Sequence, residues 1–235
     1  MVLIPPLRRI DWPTATRIIA SRYPPIDLYE RVSPDPAVWE ALIALEELTN
    51  PRLREAAGDI RVVPIEERVS GPGASYVMAP FTHLNPNGSR FADARHGAYY
   101  AAGDLDTAVA ETAFHFGRYA ADSADGPRYE DMRVLVGRID AELHDVGQLE
   151  AGERDWVLDP DDYAPGQALA RGLREIGSTG VHYPSVRRTG GSCVAVFRPS
   201  AVRIPVQTKH LKYHWDGLAV RRYFDFETNA WIGIA

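Results

Sequence analysis

Cysteine is almost absent from this sequence of 235 residues, and long apolar runs are absent altogether. The single cysteine, Cys193, excludes an intrachain disulfide and fits a reducing compartment. About 18 consecutive apolar residues, the length needed for a membrane-spanning helix, occur nowhere. The N-terminal apolar run is short and is broken by Pro5 and Pro6, which is untypical of a signal peptide. We therefore expect a soluble cytoplasmic protein.

The sequence signatures of common nucleotide-binding and hydrolytic sites are also missing. There is no G-x-G-x-x-G after a strand, no Walker A sequence and no G-x-S-x-G elbow. The formal net charge of −6 argues against broad nucleic-acid binding, which needs a basic surface. It does not exclude a local cluster of arginines around a small anionic ligand.

Metal and thiol chemistry have little support in the sequence. His210 and His214 stand four residues apart, a spacing that on a helix could place two metal ligands on one face. Their segment has the pattern of a strand and a turn, and no third ligand is obvious, so two ordinary polar histidines are the favoured interpretation. Cys193 lies in the apolar run SCVAVF, which indicates a buried structural thiol. We expect no metal.

The predicted elements are mixed in order and rich in strands. Helices are predicted from Asp11, after Asp35 and from Asp104 to Tyr119, and strands at IRVVPI, SYVMAPF, GAYYAA, RVLVGRI, GVHYP and SCVAVF. With 45% hydrophobic residues the chain can bury a sizeable core. We predict one domain over residues 1–235 with a helical elaboration around residues 1–60, and an α+β fold with a mixed, mostly antiparallel sheet and flanking helices.

The most informative stretch of the sequence runs from Gly88 to Glu111. It combines a polar loop that contains Arg90, a strand with Tyr99 and Tyr100, and a helix that carries Glu111. On that helix Glu111 lies about 100° from the centre of the apolar stripe, at the edge of the buried face. A carboxylate in such a position can line a cleft, although a solvated surface glutamate is the simpler alternative.

Three separated motifs resemble the RES domain, a family named for its arginine, glutamate and serine. The first is the stretch Leu28–Val32, which contains Arg31. The second is Gly-x-Arg-Phe at Gly88, followed by Tyr-Tyr-Ala and then by Ala-x-x-Glu ending at Glu111. The third is GVHYPSVR, which contains Ser185 and precedes the apolar run VAVF. The resemblance covers roughly residues 27 to 206.

This resemblance implies a fold related to the ADP-ribosyltransferase toxins and a site that binds NAD⁺. RES proteins include toxins of two-gene type II toxin–antitoxin modules, which an antitoxin with an Xre-like helix-turn-helix holds inactive by covering the active cleft. Members have been linked to NAD⁺ destruction by water or phosphate, or to ADP-ribosyl transfer onto a protein. We therefore expect an NAD⁺-consuming enzyme without a metal and with an antitoxin partner.

On this interpretation each motif residue has an expected role. Glu111 binds the nicotinamide-ribose hydroxyls and stabilises the oxocarbenium-like transition state. Arg31 and Arg90 bind the phosphates, because a guanidinium forks onto two oxygens. Tyr100 stacks on the nicotinamide or ribose, while Tyr99 points to the opposite face of its strand. Ser185 hydrogen-bonds the nicotinamide amide or a phosphate.

Simpler alternatives remain for each residue and for the whole chain. Arginines form surface salt bridges, tyrosines in apolar strands pack in cores, and a serine such as Ser185 after a proline can cap a turn. The loop continues with Ala92 and Asp93 where the family often has asparagine, and Arg31 and Arg90 are 59 residues apart, more than in compact members. A non-catalytic interaction module that keeps the fold is the alternative function.

Overall fold

The computed structural model describes residues 3–23, 33, 35–47, 58–123 and 126–234. Within these ranges the strands are β1 (Leu7–Ala20), β2 (Tyr99–Ala102), β3 (Arg128–Asp145), β4 (Gly180–Pro184), β5 (Ser192–Val196), β6 (Val206–Trp215), β7 (Val220–Asp225) and β8 (Ala230–Gly233). The α-helices are α1 (Trp39–Glu47), α2 (Ser75–Thr82), α3 (Leu105–Asp122), α4 (Ala151–Val157) and α5 (Ala164–Glu175). None of these helices has the length and apolar character to cross a membrane.

All eight strands belong to one sheet, in the order β1-β2-β5-β4-β3-β6-β7-β8. Because β1 also pairs with β3, the pairings of β1, β2, β5, β4 and β3 close into a ring, and β6 to β8 extend it from β3. Every pairing is antiparallel except that of β3 with β4. The prediction of an α+β fold with a mixed, mostly antiparallel sheet is confirmed.

The helix predicted from Asp11 is wrong, because this segment lies in β1. The strand pairs with β3 from Leu7 opposite His144 to Ala20 opposite Met132. A register shift between Trp12 and Ala15 accommodates the proline between them, which cannot donate to the ladder. The helical part of residues 1–60 that the structure describes is therefore α1 with the 3₁₀ turns at Pro36–Val38 and Ile60–Val62.

The strands predicted at IRVVPI and SYVMAPF are also wrong. Ile60–Val62 is a 3₁₀ turn, and SYVMAPF lies in α2, where Val77 and Phe81 are buried one helical turn apart. A short apolar run has the same composition in a buried strand and in a buried helix, so the sequence alone does not separate them. Tertiary packing decides here, since both residues belong to the core on one side of the sheet.

Two hydrophobic cores lie on the two faces of the ring of strands, and β2 contributes to both. Tyr99 and Ala101 belong to the core that includes α2, whereas Ala102 belongs to the core that includes α3. Tyr99 is only 2% exposed, so its predicted core position is confirmed. Tyr100 packs against the α3 core from the opposite face of the same strand.

Helix α3 begins after Asp104, as the sequence predicts. The Asp104 carboxylate accepts hydrogen bonds from the backbone N–H and the hydroxyl of Thr107, both at 2.8 Å. Val109, Ala113 and Phe116 are buried and fix the helix against the sheet. Glu111 lies half-buried on the flank of this face, so that its carboxylate can reach a cavity while the helix stays anchored.

Candidate active site

A cavity of about 370 Å³ lies beside the half-buried flank of α3. Strands β1, β2, β4 and β5, the loop of residues 83–98 and Tyr163 complete its walls. We call it the central cavity. Residues from five distant parts of the sequence therefore share one recess of a size suited to a small molecule.

The central cavity brings together most of the residues that the motifs single out. Arg90, Tyr100 and Glu111 line it, and Ser185 lies behind Glu111, within hydrogen-bonding distance of its carboxylate. Arg31 lies outside the residues that the structure describes, so its predicted role stays a prediction. The fold thus brings Arg90, Tyr100 and Glu111 to one cavity with Ser185 behind Glu111, while the roles of all four stay predictions.

The Glu111 carboxylate is held by Ser185. The serine hydroxyl donates a hydrogen bond of 2.6 Å to Oε1 of Glu111. Its oxygen accepts the backbone N–H groups of Arg187 at 3.1 Å and Arg188 at 3.0 Å. A hydroxyl has one proton to donate, and Ser185 donates it to the Glu111 carboxylate. The geometry favours a positioning role for Ser185 over the direct contact with nicotinamide or phosphate that we expected.

The turn that carries Ser185 is itself fixed by close packing. The Ser185 N–H donates to the carbonyl of Gly191 at 2.9 Å, which closes the turn between β4 and β5. A Cβ on Gly191 would lie 2.5 Å from the Thr107 hydroxyl oxygen at the start of α3. Only glycine permits this approach, so the turn and the helix that carry Ser185 and Glu111 are locked together.

Tyr100 uses its hydroxyl to hold the loop that carries Arg90. The phenol oxygen accepts the Phe91 N–H at 2.9 Å and shares a hydrogen bond of 2.8 Å with the Ser89 hydroxyl. Burial raises the pKa of Tyr100, and the hydrogen bonds from Ser89 and Phe91 oppose that shift. The phenol therefore stays protonated at neutral pH, and its ring remains available for stacking in the cavity.

Arg90 is a buried cation without a carboxylate partner among the described residues. It is 6% exposed, donates from Nη1 to the Asp159 carbonyl at 2.5 Å and stacks 4.6 Å from the centre of the Tyr163 ring. A carbonyl carries no negative charge, and the Asp159 carboxylate acts on Arg90 only from beyond 4 Å. The arrangement suits an anionic ligand in the cavity.

Helix α5 supports the Arg90 loop from behind. Gly166 lets the helix approach so closely that a Cβ would lie 2.5 Å from the Arg90 carbonyl oxygen. Arg174 donates to the carbonyls of Phe91 and Gly97, both at 3.0 Å, and stacks 3.8 Å from the centre of the Phe197 ring. Burial lowers the pKa of Arg174 to about 10, which leaves it charged at neutral pH.

Some residues near the cavity were not found from the sequence. Tyr163 and His115 line it, and Arg17 of β1 donates to the carbonyl of Tyr100 at 2.9 Å while its guanidinium lies over the Tyr99 ring. Burial and the charges of nearby arginines lower the pKa of His115 to about 4, so this residue is neutral at pH 7. Arg17 was not recognised as a cavity residue because its segment was predicted to be a helix.

Cys193, His210 and His214 all lie on strands of the sheet. In the described parts of the chain, no group of three or more histidine, cysteine or carboxylate side chains is arranged to hold a metal ion. His210 and His214 lie on β6, where four residues span about 13 Å, too far to share an ion. Cys193 lines the cavity but is 3% exposed, and burial raises the pKa of its thiol far above neutrality. The predicted burial of this thiol is confirmed.

Comparison with known proteins adds family context to this geometry. The family model of the RES domain matches residues 65–216. The uncharacterized protein y4oC of Sinorhizobium fredii (strain NBRC 101917 / NGR234) is 29% identical over 216 residues, which cover 90% of this chain and 86% of that protein. The toxin–antitoxin complex MbcT–MbcA of M. tuberculosis contains a chain with 14% identity and a TM-score of 0.44, over 85% of this chain and 86% of that one.

Proposed function

This chain belongs to the RES domain family, and from that premise we propose that it binds NAD⁺ in the central cavity and cleaves its nicotinamide–ribose bond. One observation carries the proposal: Glu111, which Ser185 holds from behind, lines the same cavity as Arg90, whose guanidinium has no carboxylate within 4 Å among the described residues. A carboxylate and a cation that line one cavity match a substrate that develops positive charge at its ribose and carries negative charge at its phosphates.

The cleavage reaction needs negative charge at the ribose. As the bond between C1′ and the nicotinamide nitrogen breaks, nicotinamide leaves with the electron pair as a neutral molecule. The ribose then carries positive charge as an oxocarbenium-like species, which the carboxylate of Glu111 stabilises. An acceptor attacks C1′ and loses its proton, which Glu111 can accept.

The other residues bind and orient the substrate. Arg90 pairs with a phosphate, which supplies the counter-charge that the fold does not. The Tyr100 ring stacks on the nicotinamide or its ribose, since its hydroxyl is occupied by the loop. Ser185 fixes the carboxylate of Glu111, so that little reorganisation is needed when charge develops.

We further propose, on the family resemblance, that the protein is the toxin of a type II toxin–antitoxin module. Its partner is then an Xre-like antitoxin that occludes the central cavity. An acidic segment of the partner would be attracted by the uncompensated charge of Arg90. The acceptor of the ADP-ribose group is water, phosphate or a protein.

The proposal is tested by product analysis with purified protein freed of any partner. NAD⁺ is incubated with and without phosphate, and nicotinamide, ADP-ribose and its phosphate are separated by chromatography. We expect nicotinamide release by the wild-type protein and a loss of about 100-fold or more in Glu111→Gln. Glu142→Gln, an exposed substitution on β3, is the matched control.

Labelling of a lysate and a growth assay on bacteria that express the protein distinguish the alternatives. Labelling of one protein band by biotinylated NAD⁺ in a lysate identifies a protein acceptor, whereas soluble ADP-ribose or its phosphate identifies degradation. Unchanged NAD⁺, together with growth arrest that Glu111→Gln does not relieve, would favour the non-catalytic interaction module and overturn the enzyme proposal.

A further inference from the structure

Three arginines gather beside the central cavity: Arg90 lines it, and Arg118 and Arg187 line a neighbouring recess. Arg90 and Arg118 lie over the same Tyr163 ring, with 4.6 and 5.9 Å from guanidinium carbon to ring centre. Arg118 and Arg187 lie over the same Phe114 ring at 6.0 and 3.3 Å. Two shared aromatic rings therefore join the three side chains into one group, which we call the arginine cluster.

The arginine cluster has no ion-pair partner in the part of the chain that the structure describes. Arg90 and Arg187 each donate to a backbone carbonyl, that of Asp159 and that of Pro160, both at 2.5 Å, while Arg118 makes no hydrogen bond to a described residue. The buried Nε of Arg187 also lacks a partner there. Yet the chain has 32 acidic residues against 26 lysines and arginines, so carboxylates are in excess. The missing counter-charge points to an anionic ligand.

The charged groups around the cluster leave it positive. The carboxylate of Asp159 accepts the N–H groups of Asp161 and Asp162 at 2.8 Å each, and these bonds, together with the charge of Arg90, lower its pKa. It forms no ion pair with Arg90 within 4 Å. His115, which faces the same cavity, is neutral at pH 7 and adds no charge.

We propose that Arg90, Arg118 and Arg187 form the subsite for the pyrophosphate group of the substrate, a placement that rests on the proposed function. Arg118 follows Glu111 by two turns of α3, about 10 Å along the helix axis. In the dinucleotide the pyrophosphate is attached on the side of the nicotinamide ribose away from the bond that breaks. A substrate with its ribose at Glu111 therefore extends toward the cluster.

The chemistry of the cluster matches this ligand. A pyrophosphate bridge carries two negative charges and presents several oxygens, and a guanidinium can bind two of them at once. Phe114 and Tyr163 hold the guanidinium planes by stacking, which reduces the entropy lost on binding. Arg118 has no other described hydrogen bond to give up, so it is free to turn toward the ligand.

The subsite is tested by calorimetric titration with three probes at one fixed ionic strength: inorganic pyrophosphate, ADP-ribose and adenosine. We expect the wild-type protein to bind the first two, and Arg118→Gln and Arg187→Gln each to weaken them about tenfold or more. Arg222→Gln is the matched control, because Arg222 stacks on Trp231 on the outer sheet face. Adenosine binding should be the same in all variants.

The outcomes separate this inference from the proposed function. If pyrophosphate affinity is lost in Arg118→Gln but no protein cleaves NAD⁺, the subsite stands and the enzyme proposal fails. If NAD⁺ is cleaved while pyrophosphate binds wild type and Arg118→Gln equally, or does not bind at all, the subsite is overturned. The result for Arg187→Gln counts only if this variant has the same melting temperature as wild type. If its melting temperature differs, Arg118→Gln alone decides the test.

Discussion

The hydroxyl of Ser185 lies 2.6 Å from Oε1 of Glu111 and donates a hydrogen bond to it, although 74 residues separate the two in the chain. Two backbone N–H groups hold the serine oxygen in turn. The carboxylate is therefore oriented by a chain of hydrogen bonds that ends in the backbone of the turn after β4. Such an orientation, made before substrate arrives, is the condition under which a fixed charge stabilises a transition state best.

Removal of the serine hydroxyl should slow the chemical step more than it weakens binding. We expect Ser185→Ala to lower kcat for NAD⁺ cleavage about 10- to 100-fold, the effect of losing one hydrogen bond to a charged group. KM should change little, because Ser185 lies behind Glu111 and does not line the central cavity. Steady-state kinetics measure both constants. Ser185→Thr should recover most of the rate, and Ser200→Ala, an exposed substitution, serves as control.

The sequence predicted those features that depend on local signals. The start of α3 follows from the capping aspartate Asp104, and the opposite orientations of Tyr99 and Tyr100 follow from the two-residue period of a strand. The RES motifs single out Glu111 and Ser185 as site residues, but the spacing of the two in the sequence does not predict that they are in contact. The prediction of the pair rested on the resemblance, and the hydrogen bond between them is a finding of the structure.

The features that were missed depend on contacts between distant segments. β1 is a strand because it pairs with β3, more than 110 residues later, and its local sequence also reads as a capped helix. Arg118 and Tyr163 form no motif with Arg90, and only the packing of α3 beside the Arg90 loop brings them together. The sequence shows where the carboxylate lies but not what surrounds it.

Loss of the Tyr100 hydroxyl should loosen the loop that carries Arg90. Tyr100→Phe keeps the ring but leaves the Phe91 N–H without its acceptor, which costs about 1–3 kcal/mol in free energy of unfolding. KM for NAD⁺ should rise as well, because Arg90 is one residue before Phe91. Urea unfolding and steady-state kinetics measure the two effects. Tyr129→Phe, at a tyrosine that is 55% exposed, should change neither, and an unaltered midpoint in Tyr100→Phe would contradict the proposed hold on the loop.

Asp145 should be a major contributor to stability away from the cavity. It is 2% exposed and accepts hydrogen bonds from His182 at 2.8 Å, from Arg8 at 3.1 Å and from Gln148 at 2.9 Å. Burial raises the pKa of Asp145, but the hydrogen bonds from these donors lower it by more, so the net shift is downward. We expect Asp145→Ala to reduce the free energy of unfolding by about 2–4 kcal/mol, since the buried donors stay behind without their acceptor.

The control for this prediction is Asp140→Ala, which removes a more exposed carboxylate of the same strand that pairs with Arg9. It should cost about 1 kcal/mol or less. Both variants are compared by urea unfolding at neutral pH. Equal losses in the two variants would show that burial of the Asp145 network does not determine its contribution.

His115 should make the folded protein lose stability as the pH falls. Burial is the largest cause, followed by the charges of Arg187, Arg90 and Arg118, and together they lower the pKa of His115 to about 4. In the unfolded chain a histidine titrates near pH 6.5. Between about pH 6.5 and about pH 4 the unfolded chain therefore binds a proton that the folded protein does not, so acidification favours unfolding in this window.

His115→Gln should remove this dependence. The free energy of unfolding of wild type should fall more steeply from about pH 7 to about pH 4.5 than that of the variant, with no difference in slope above about pH 7. The ring faces the desolvated cavity, but His115 is an exposed residue by its accessible surface, so solvent screening reduces the size of the effect. Urea unfolding at several pH values measures it. If the profile of His115→Gln runs parallel to that of wild type, the arginines do not act on the His115 ring as their positions imply, and their common location around the cavity would be in question.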